Sequence, residues 1–295
     1  MRGLLLLACA SSVAIAADDT PKVRVCIIDG QNNHAWRATT PILRSALEKS
    51  GRFSVAVSSH LKAGDKGPAS KDAIAFPPDL SRFDVVVSNY NGQPWPKEFQ
   101  TALADGVRGG KVGLVVFHAA NNAFTGWPEF NDMIGMGWRG NKFGERLYLD
   151  ADAKPVRQPK GEGPGAGETT MHPFKVVVRD AAHPVTKGMP REWMHAADQL
   201  VHGLRGPIKN VTVLATAYSD KAKRGTGEHE AMVWTVAYGE GRVFHTPMGH
   251  DAGSVRCVGF QTALLRGAEW AATGKVTLPI PEAFPPADKT SSVKP

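Results

Sequence analysis

The side chains of this chain that could carry chemistry collect where apolar runs stop. His34 follows Val23–Asp29 (VRVCIID) and Gly30, and Asn89 to Asn91 follow Phe83–Ser88 (FDVVVS). His118, with Asn121 and Asn122, follows the run from Lys111 to Phe117 (KVGLVVF). Glu230 stands beside His229 at the head of another run, and His250-Asp251 closes the segment GEGRVFHTPMGHD. Imidazole titrates near neutrality, and a His–Asp pair facing a cleft suits general acid–base work. A structural reading stands beside each. A single histidine after a strand is commonly a surface residue, Asp251 is placed to cap a helix beginning near Ser254, and His250 could bond a loop carbonyl. Their shared position at one edge favours a common pocket. Histidine with aspartate or glutamate also suits a divalent metal. No HExxH or comparable spacing occurs, so no metal ligands and no cofactor are assigned, with a divalent metal kept as the alternative occupant.

The elements that would bring these residues together read as an α/β protein. Val112 and Leu114 to Phe117 form a nearly unbroken apolar run ended by Gly109-Gly110 on its N-terminal side, the pattern of a strand buried on both faces. Strands at Val23–Asp29, Phe53–Val57 and Phe83–Ser88 precede it. A helix whose first position is Pro41 is predicted to carry Leu43, Ala46 and Leu47 inward, and one from Pro96 to carry Phe99, Leu103 and Val107. Strand–helix alternation at this spacing predicts a doubly wound, mostly parallel sheet of flavodoxin-like type with helices on both faces. Ligands of such sheets bind beyond the carboxyl ends of the strands, which is where His118 lies. A short helix is expected within 127–136 and a mobile loop over 153–167. Strands are expected at 174–179, 211–217, 232–238 and 242–246, the last two joined by Tyr238-Gly239-Glu240-Gly241. A closing helix runs from about Ser254 to Thr273.

Composition sets bounds. The chain has 295 residues, 42% hydrophobic and 21% charged, in the range of a folded domain. The formal charge of +7 is spread among acids, without the clustering that marks a nucleic-acid footprint. Arg2, the apolar Leu4 to Leu7 and the small residues Ala14-Ile15-Ala16 form a secretory leader, residues 1–16, which predicts a periplasmic or secreted product. Leu6-Leu7-Ala8-Cys9 faintly resembles a lipoprotein box, but its cysteine comes too early. No stretch is long enough to span a bilayer. One domain is expected over 23–276, with a disordered Pro-, Ser- and Lys-rich tail over 277–295. Cys26 and Cys257 both sit in apolar periodic settings and read as buried hydrophobes rather than as a disulfide pair.

Seven segments, in order, resemble the ThuA-like (trehalose-utilisation) family: QNNHAWRATTPIL, FHAANNAF, HPVTKGMP, AADQL, HEAMVW, GRVFHTPMGHD and FQTALLRGAEWAATGKV. The resemblance covers roughly Val23 to Val276 and implies a class I glutamine amidotransferase-like fold. It also implies a small-molecule carbohydrate as partner, of the trehalose or 3-keto-disaccharide kind. Amidotransferases of that class keep a cysteine nucleophile after the central strand; here the position reads Phe117-His118-Ala119, so glutaminase chemistry is not expected. A family Asp-Glu-Leu-Tyr-like segment reads Asp198-Gln199-Leu200-Val201, with the second acid replaced. The reading is therefore acid–base chemistry on a sugar, with His118, His250, Asp251, Glu230 and Asp198 as catalytic candidates. His34, Trp36, Asn91, Asn121 and Trp138 are the candidates for binding hydroxyls and ring faces. A non-catalytic carbohydrate-binding or scaffolding protein and a metal-dependent hydrolase are the alternatives. The sequence does not fix an oligomeric state.

Overall fold

A computed structural model describes residues 21–68 and 70–294, so the leader read at 1–16, including Cys9, lies outside the described residues. The chain begins with β1 (Val23–Asp29), α1 (Trp36–Lys49), β2 (Phe53–Ser59), β3 (Val85–Ser88), α2 (Lys97–Arg108) and β4 (Gly113–Phe117). It continues through α3 (Pro128–Ile134), β5 (Arg146–Leu149), β6 (Pro155–Gln158), β7 (Gly167–Glu168), β8 (His172–Val178), β9 (Glu192–Asp198) and β10 (Val201–His202). β11 (Val211–Tyr218), β12 (His229–Tyr238), β13 (Gly241–Thr246), α4 (Ala252–Val255) and α5 (Val258–Thr273) complete it. Strands β2, β1, β3, β4 and β13 pair in parallel in that order, the flavodoxin-like arrangement. Beyond β13 the sheet continues antiparallel through β12, β11, β8 and β9, and β5 with β6 pairs off β12.

Side-chain alternation along the parallel strands sends apolar groups to both faces. Val115 and Phe117 of β4 pack with Leu43 and Leu47 of α1 and Phe260 and Leu264 of α5. Leu114 and Val116 pack on the other face with Phe99 and Leu103 of α2 and Phe130 and Met133 of α3. This two-sided burial is why β4 reads as one apolar run. Cys26 and Cys257 are both free and buried, and they belong to cores on opposite faces of the sheet.

Four local expectations change. Helix α1 starts at Trp36, a turn earlier than expected, and carries Pro41 in its interior rather than at its first position. The closing helix is interrupted at Arg256-Cys257, separating α4 from α5. The passage at 153–167 is tied down. Its residues 155–158 form β6, and the buried Arg205 guanidinium donates to the carbonyls of Gly144, Pro159, Glu162 and Pro164. The tail is likewise packed on the body. Leu278, Ile280 and Phe284 lie against the core, and the amides of Thr277 and Leu278 donate to the buried Glu269 carboxylate, 2.8 and 3.1 Å away. Arg52 completes that carboxylate with an ion pair of 2.8 Å. Further on, Val258 donates to Ser291 and Val293 to Arg256. A buried carboxylate needs such donors, and the tail supplies them.

Gly113 marks the tightest contact of the central strand: a Cβ there would stand 2.4 Å from the Ala271 carbonyl oxygen of α5. Gly113→Ala is expected to lower unfolding free energy by about 1–3 kcal/mol through overpacking. Urea denaturation followed by circular dichroism checks it, and a change under about 0.5 kcal/mol would refute the close-approach argument.

Candidate functional site

Three loops at the carboxyl ends of parallel strands converge. The loop after β1 carries His34, the turn directly after β4 carries His118, and the loop after β13 carries His250. Their rings stand edge to face, with centroids 4.5, 4.6 and 5.1 Å apart and interplanar angles of 83–90°. His118 Nδ1 is 3.0 Å from the Pro247 carbonyl, which can only accept, so Nδ1 carries the proton and Nε2 presents a lone pair. His250 Nδ1 lies 3.2 Å from that Nε2 and donates to it. His34 Nδ1 donates to Asn33 Oδ1 at 3.0 Å, which leaves its Nε2 as a second lone pair. Burial, with the other two imidazoles, pushes the His34 pKa down to about 4, and burial lowers that of His118 against the pull of Asp198. Both are therefore neutral at physiological pH.

The turn at His118 is held under strain. His118 has φ = 41°, in the left-handed region that L side chains avoid. Arg139 closes the turn from beneath: its buried guanidinium donates to the carbonyls of Asn121 (2.9 Å), Asn122 (3.1 Å) and Ala123 (2.6 Å) and to Asn131 Oδ1. A cleft of about 310 Å³ opens over the histidines, lined also by Asn33, Ala119, Asn121, Asn122, Trp138, Glu168, Gln199 and Val201. Asn121 Nδ2 and Oδ1, Asn122 Oδ1 and Gln199 Oε1 are buried without a partner in the protein. Unpaired buried polar atoms are costly, and a hydroxylated ligand would pair them. A larger apolar groove of about 640 Å³ runs between α1, α5 and the tail, but no histidine or carboxylate lines it.

The predicted residues divide into groups. His34, His118, His250, Asn121 and Trp138 line the cleft together. Asp198 stands behind it, fully buried, and accepts from His195 Nε2 (2.8 Å) and from the backbone amides of Gly249 (2.8 Å) and His250 (3.3 Å). Asn91 is also behind, paired with Asn33 so that the His34 loop is fixed. Three more of the predicted residues stand off the cleft. Glu230 is closed off in a buried pair with Arg146, accepts from Thr226 Oγ1 and the Gly203 amide, and does not line the cleft. Asp251 serves as helix cap: its Oδ1 accepts from the Ser254 amide at 2.9 Å in a capping box. Trp36 is buried in the first turn of α1 with Arg37 stacked on it, away from the cleft.

Sequence reasoning missed the opposing wall. Glu168 of β7 and Val201 of β10 pair in a two-stranded ribbon, and Gln199 Nε2 reaches Glu168 Oε1 at 3.2 Å. Gln199 was visible only as the amide in place of an acid beside Asp198. His195 gave no signal, because an imidazole inside an unrecognised strand looks like any polar residue.

Fold and site together define an α/β protein of flavodoxin-like order with an imidazole cluster at its ligand-binding edge. A family model described as ThuA, trehalose utilisation, matches residues 24–271, and the chain belongs to that family. A putative ThuA-like protein from Parabacteroides merdae ATCC 43184 is 40% identical and superposes with a TM-score of 0.83, covering 92% of this chain and 98% of its own. One from Bacteroides uniformis ATCC 8492 is 20% identical with a TM-score of 0.56, covering 91% and 97%, and shares the fold. No curated protein matches.

The His195–Asp198 pair gives a pH prediction. Burial opposes the charged imidazole, but the hydrogen bonds and charges of Asp198 and Cys257 together more than offset it and the His195 pKa rises to about 9. The folded value lies above the unfolded one near 6.5, so the pair's contribution is complete below that pH and is lost as pH rises through about 9. Cys257, which shares His195 and whose thiol is thereby held below its usual range, titrates in the opposite sense. In a Cys257→Ala background, where Asp198 alone raises the His195 pKa, the urea midpoint is expected to fall as pH rises above about 6.5, and His195→Gln to flatten that slope. Equal slopes in the two proteins would contradict the assignment.

Proposed function

We propose that the cleft takes one ring of a disaccharide or 3-keto-glycoside and that its histidines direct proton transfer on that ring, with no cysteine nucleophile. The observation that carries this is the His250 Nδ1–His118 Nε2 contact of 3.2 Å at the floor of a polar cleft. Imidazoles in contact can relay a proton from one ring to the other, and a keto group acidifies the neighbouring C–H that an imidazole would take. The unpartnered amides of Asn121, Asn122 and Gln199 match hydroxyls, and Trp138 offers a ring face. A volume of about 310 Å³ stands at the small end of ligand pockets, about 300–1,000 Å³, which favours one sugar ring inside with the remainder outside.

The proposal extends to location. The leader at residues 1–16 would send the protein to the periplasm or beyond, and N-terminal sequencing of material recovered from cell fractions would find a chain starting at Ala17.

Turnover is to be assayed on trehalose, 3-keto-trehalose and related glycosides. His118→Ala is expected to cost about 10²–10⁴ in kcat with the circular dichroism spectrum unchanged. Asn121→Ala is expected to act mainly through KM. Undiminished turnover in His118→Ala would remove the imidazole from the reaction. Binding of the panel without turnover by the wild type would favour the non-catalytic carbohydrate-binding reading.

A further inference from the structure

The geometry points to His34, His118 and His250 as the three protein ligands of a divalent transition-metal ion, zinc by ligand type, with an open position facing the cleft. This rests on the cleft being the functional site, and it changes what the imidazoles do there: they hold the cation whose bound water or substrate oxygen exchanges the proton.

Three features support it. The candidate ligand atoms of the three histidines all lie within 4.8 Å of one another, and among the described residues no other such group of histidine, cysteine or carboxylate side chains occurs. The shortest separation, 3.2 Å between His250 Nδ1 and His118 Nε2, is close to the spacing of about 3.3–3.4 Å that a tetrahedral centre with bonds of about 2.0–2.1 Å requires. In addition, the outer nitrogens are already engaged as metal-bound histidines engage theirs. His118 Nδ1 donates to the Pro247 carbonyl and His34 Nδ1 to Asn33 Oδ1, so both Nε2 atoms point lone pairs inward. Asn33 is held in turn by Asn91, whose Nδ2 donates to the same Oδ1 and whose Oδ1 accepts from the Asn33 amide at 3.1 Å. His250 needs only the Nε2–H tautomer to make its Nδ1 the third lone pair. The buried carboxylate of Asp198, bonded to the His250 amide, sets a negative charge behind the cluster without taking a coordination position.

Three histidines with a fourth place free is a catalytic rather than a structural zinc arrangement, since structural sites close all four positions. A sugar bearing adjacent oxygens, or a ketone, fits such a place, because the cation polarises a carbonyl and acidifies a bound hydroxyl. The spacing was not legible in the chain because the ligands are contributed by three loops, 84 and 132 residues apart.

The test uses the full-length protein, expressed without a polyhistidine tag and analysed by mass spectrometry for metals. After stripping with a chelator it is titrated with Co²⁺, whose d–d bands in the visible report low coordination by nitrogen ligands. Roughly one equivalent per chain with a saturable spectrum is expected. His34→Ala and His250→Ala should lose the spectrum, and Asn33→Ala should weaken binding about 10–100-fold by freeing the His34 ring. His34→Gln, at a half-buried position, guards against misfolding, with melting temperature as control. No retained metal together with no saturable Co²⁺ spectrum overturns the proposal, as does wild-type affinity in folded His34→Ala. The two readings separate cleanly: stoichiometric metal at these histidines without turnover of any glycoside sustains the cation site and removes the proposed reaction. Turnover by chelated, metal-free protein sustains the reaction and overturns the part given to the cation in exchanging the proton.

Discussion

The buried carboxylate of Asp198 is the constraint on which the site depends. A carboxylate without solvent is tolerated only when donors replace its water. Asp198 receives His195 Nε2, the Gln199 amide at 2.8 Å, and the amides of Gly249 and His250. Those partners come from two distant parts of the sheet: β9 at its antiparallel edge and the loop following β13, with three strands between. One side chain thus pins the far edge to the loop that presents His250. Gly249 makes the approach feasible, since at its φ of 107° a Cβ would press on Phe117 and Phe260 at about 3.1 Å. Asp198 therefore positions the imidazoles and lends them charge from behind, a different part from the catalytic one its place in the AADQL segment suggested.

The two halves of the sheet divide the work. Three of the loops that leave the parallel half, those after β1, β4 and β13, start from one edge of the sheet, which brings His34, His118 and His250 within ring contact. The antiparallel half folds back and supplies the opposite wall, Glu168, Gln199 and Val201, through the ribbon of β7 with β10. Leu200 and Thr169 bond each other at 3.0 Å and fix that ribbon to the end of β9. The same carboxylate therefore sets the distance between floor and wall.

How legible each part was follows from where the apolar signal lies. The parallel strands are buried on both faces, so their sequences are apolar throughout and their ends are sharp. His118 and His250 could be placed at one edge from the sequence because they follow those ends directly. Strand β9 was not legible, since the inward positions of EWMHAAD are Trp193, His195 and Asp198, two of them polar, and the period-2 pattern disappears. The order in 153–167 and in the tail was hidden for another reason. Both depend on backbone groups meeting buried charges, Arg205 in one case and Glu269 in the other, and such bonds leave no trace in the residues whose backbone is used. Glu230 and Asp251 misled through type: a carboxylate beside a histidine suits catalysis and also suits an arginine partner or a helix cap, and only the register decides between them.

What the fold imposes at the end of β4 bears on the chemistry directly. The turn places a non-glycine residue in the left-handed region, at a cost of about 1–2 kcal/mol, and Arg139 with Pro247 holds it there. In that turn the His118 ring lies edge to face with His34 and His250. Burial then keeps the ring neutral, and the carbonyl at Nδ1 fixes its tautomer. A neutral imidazole with one fixed outward proton and one inward lone pair accepts a proton or a cation. The sheet position that could present a nucleophile is thus fitted here with a base, and the two proposals for this site differ only in what that base receives.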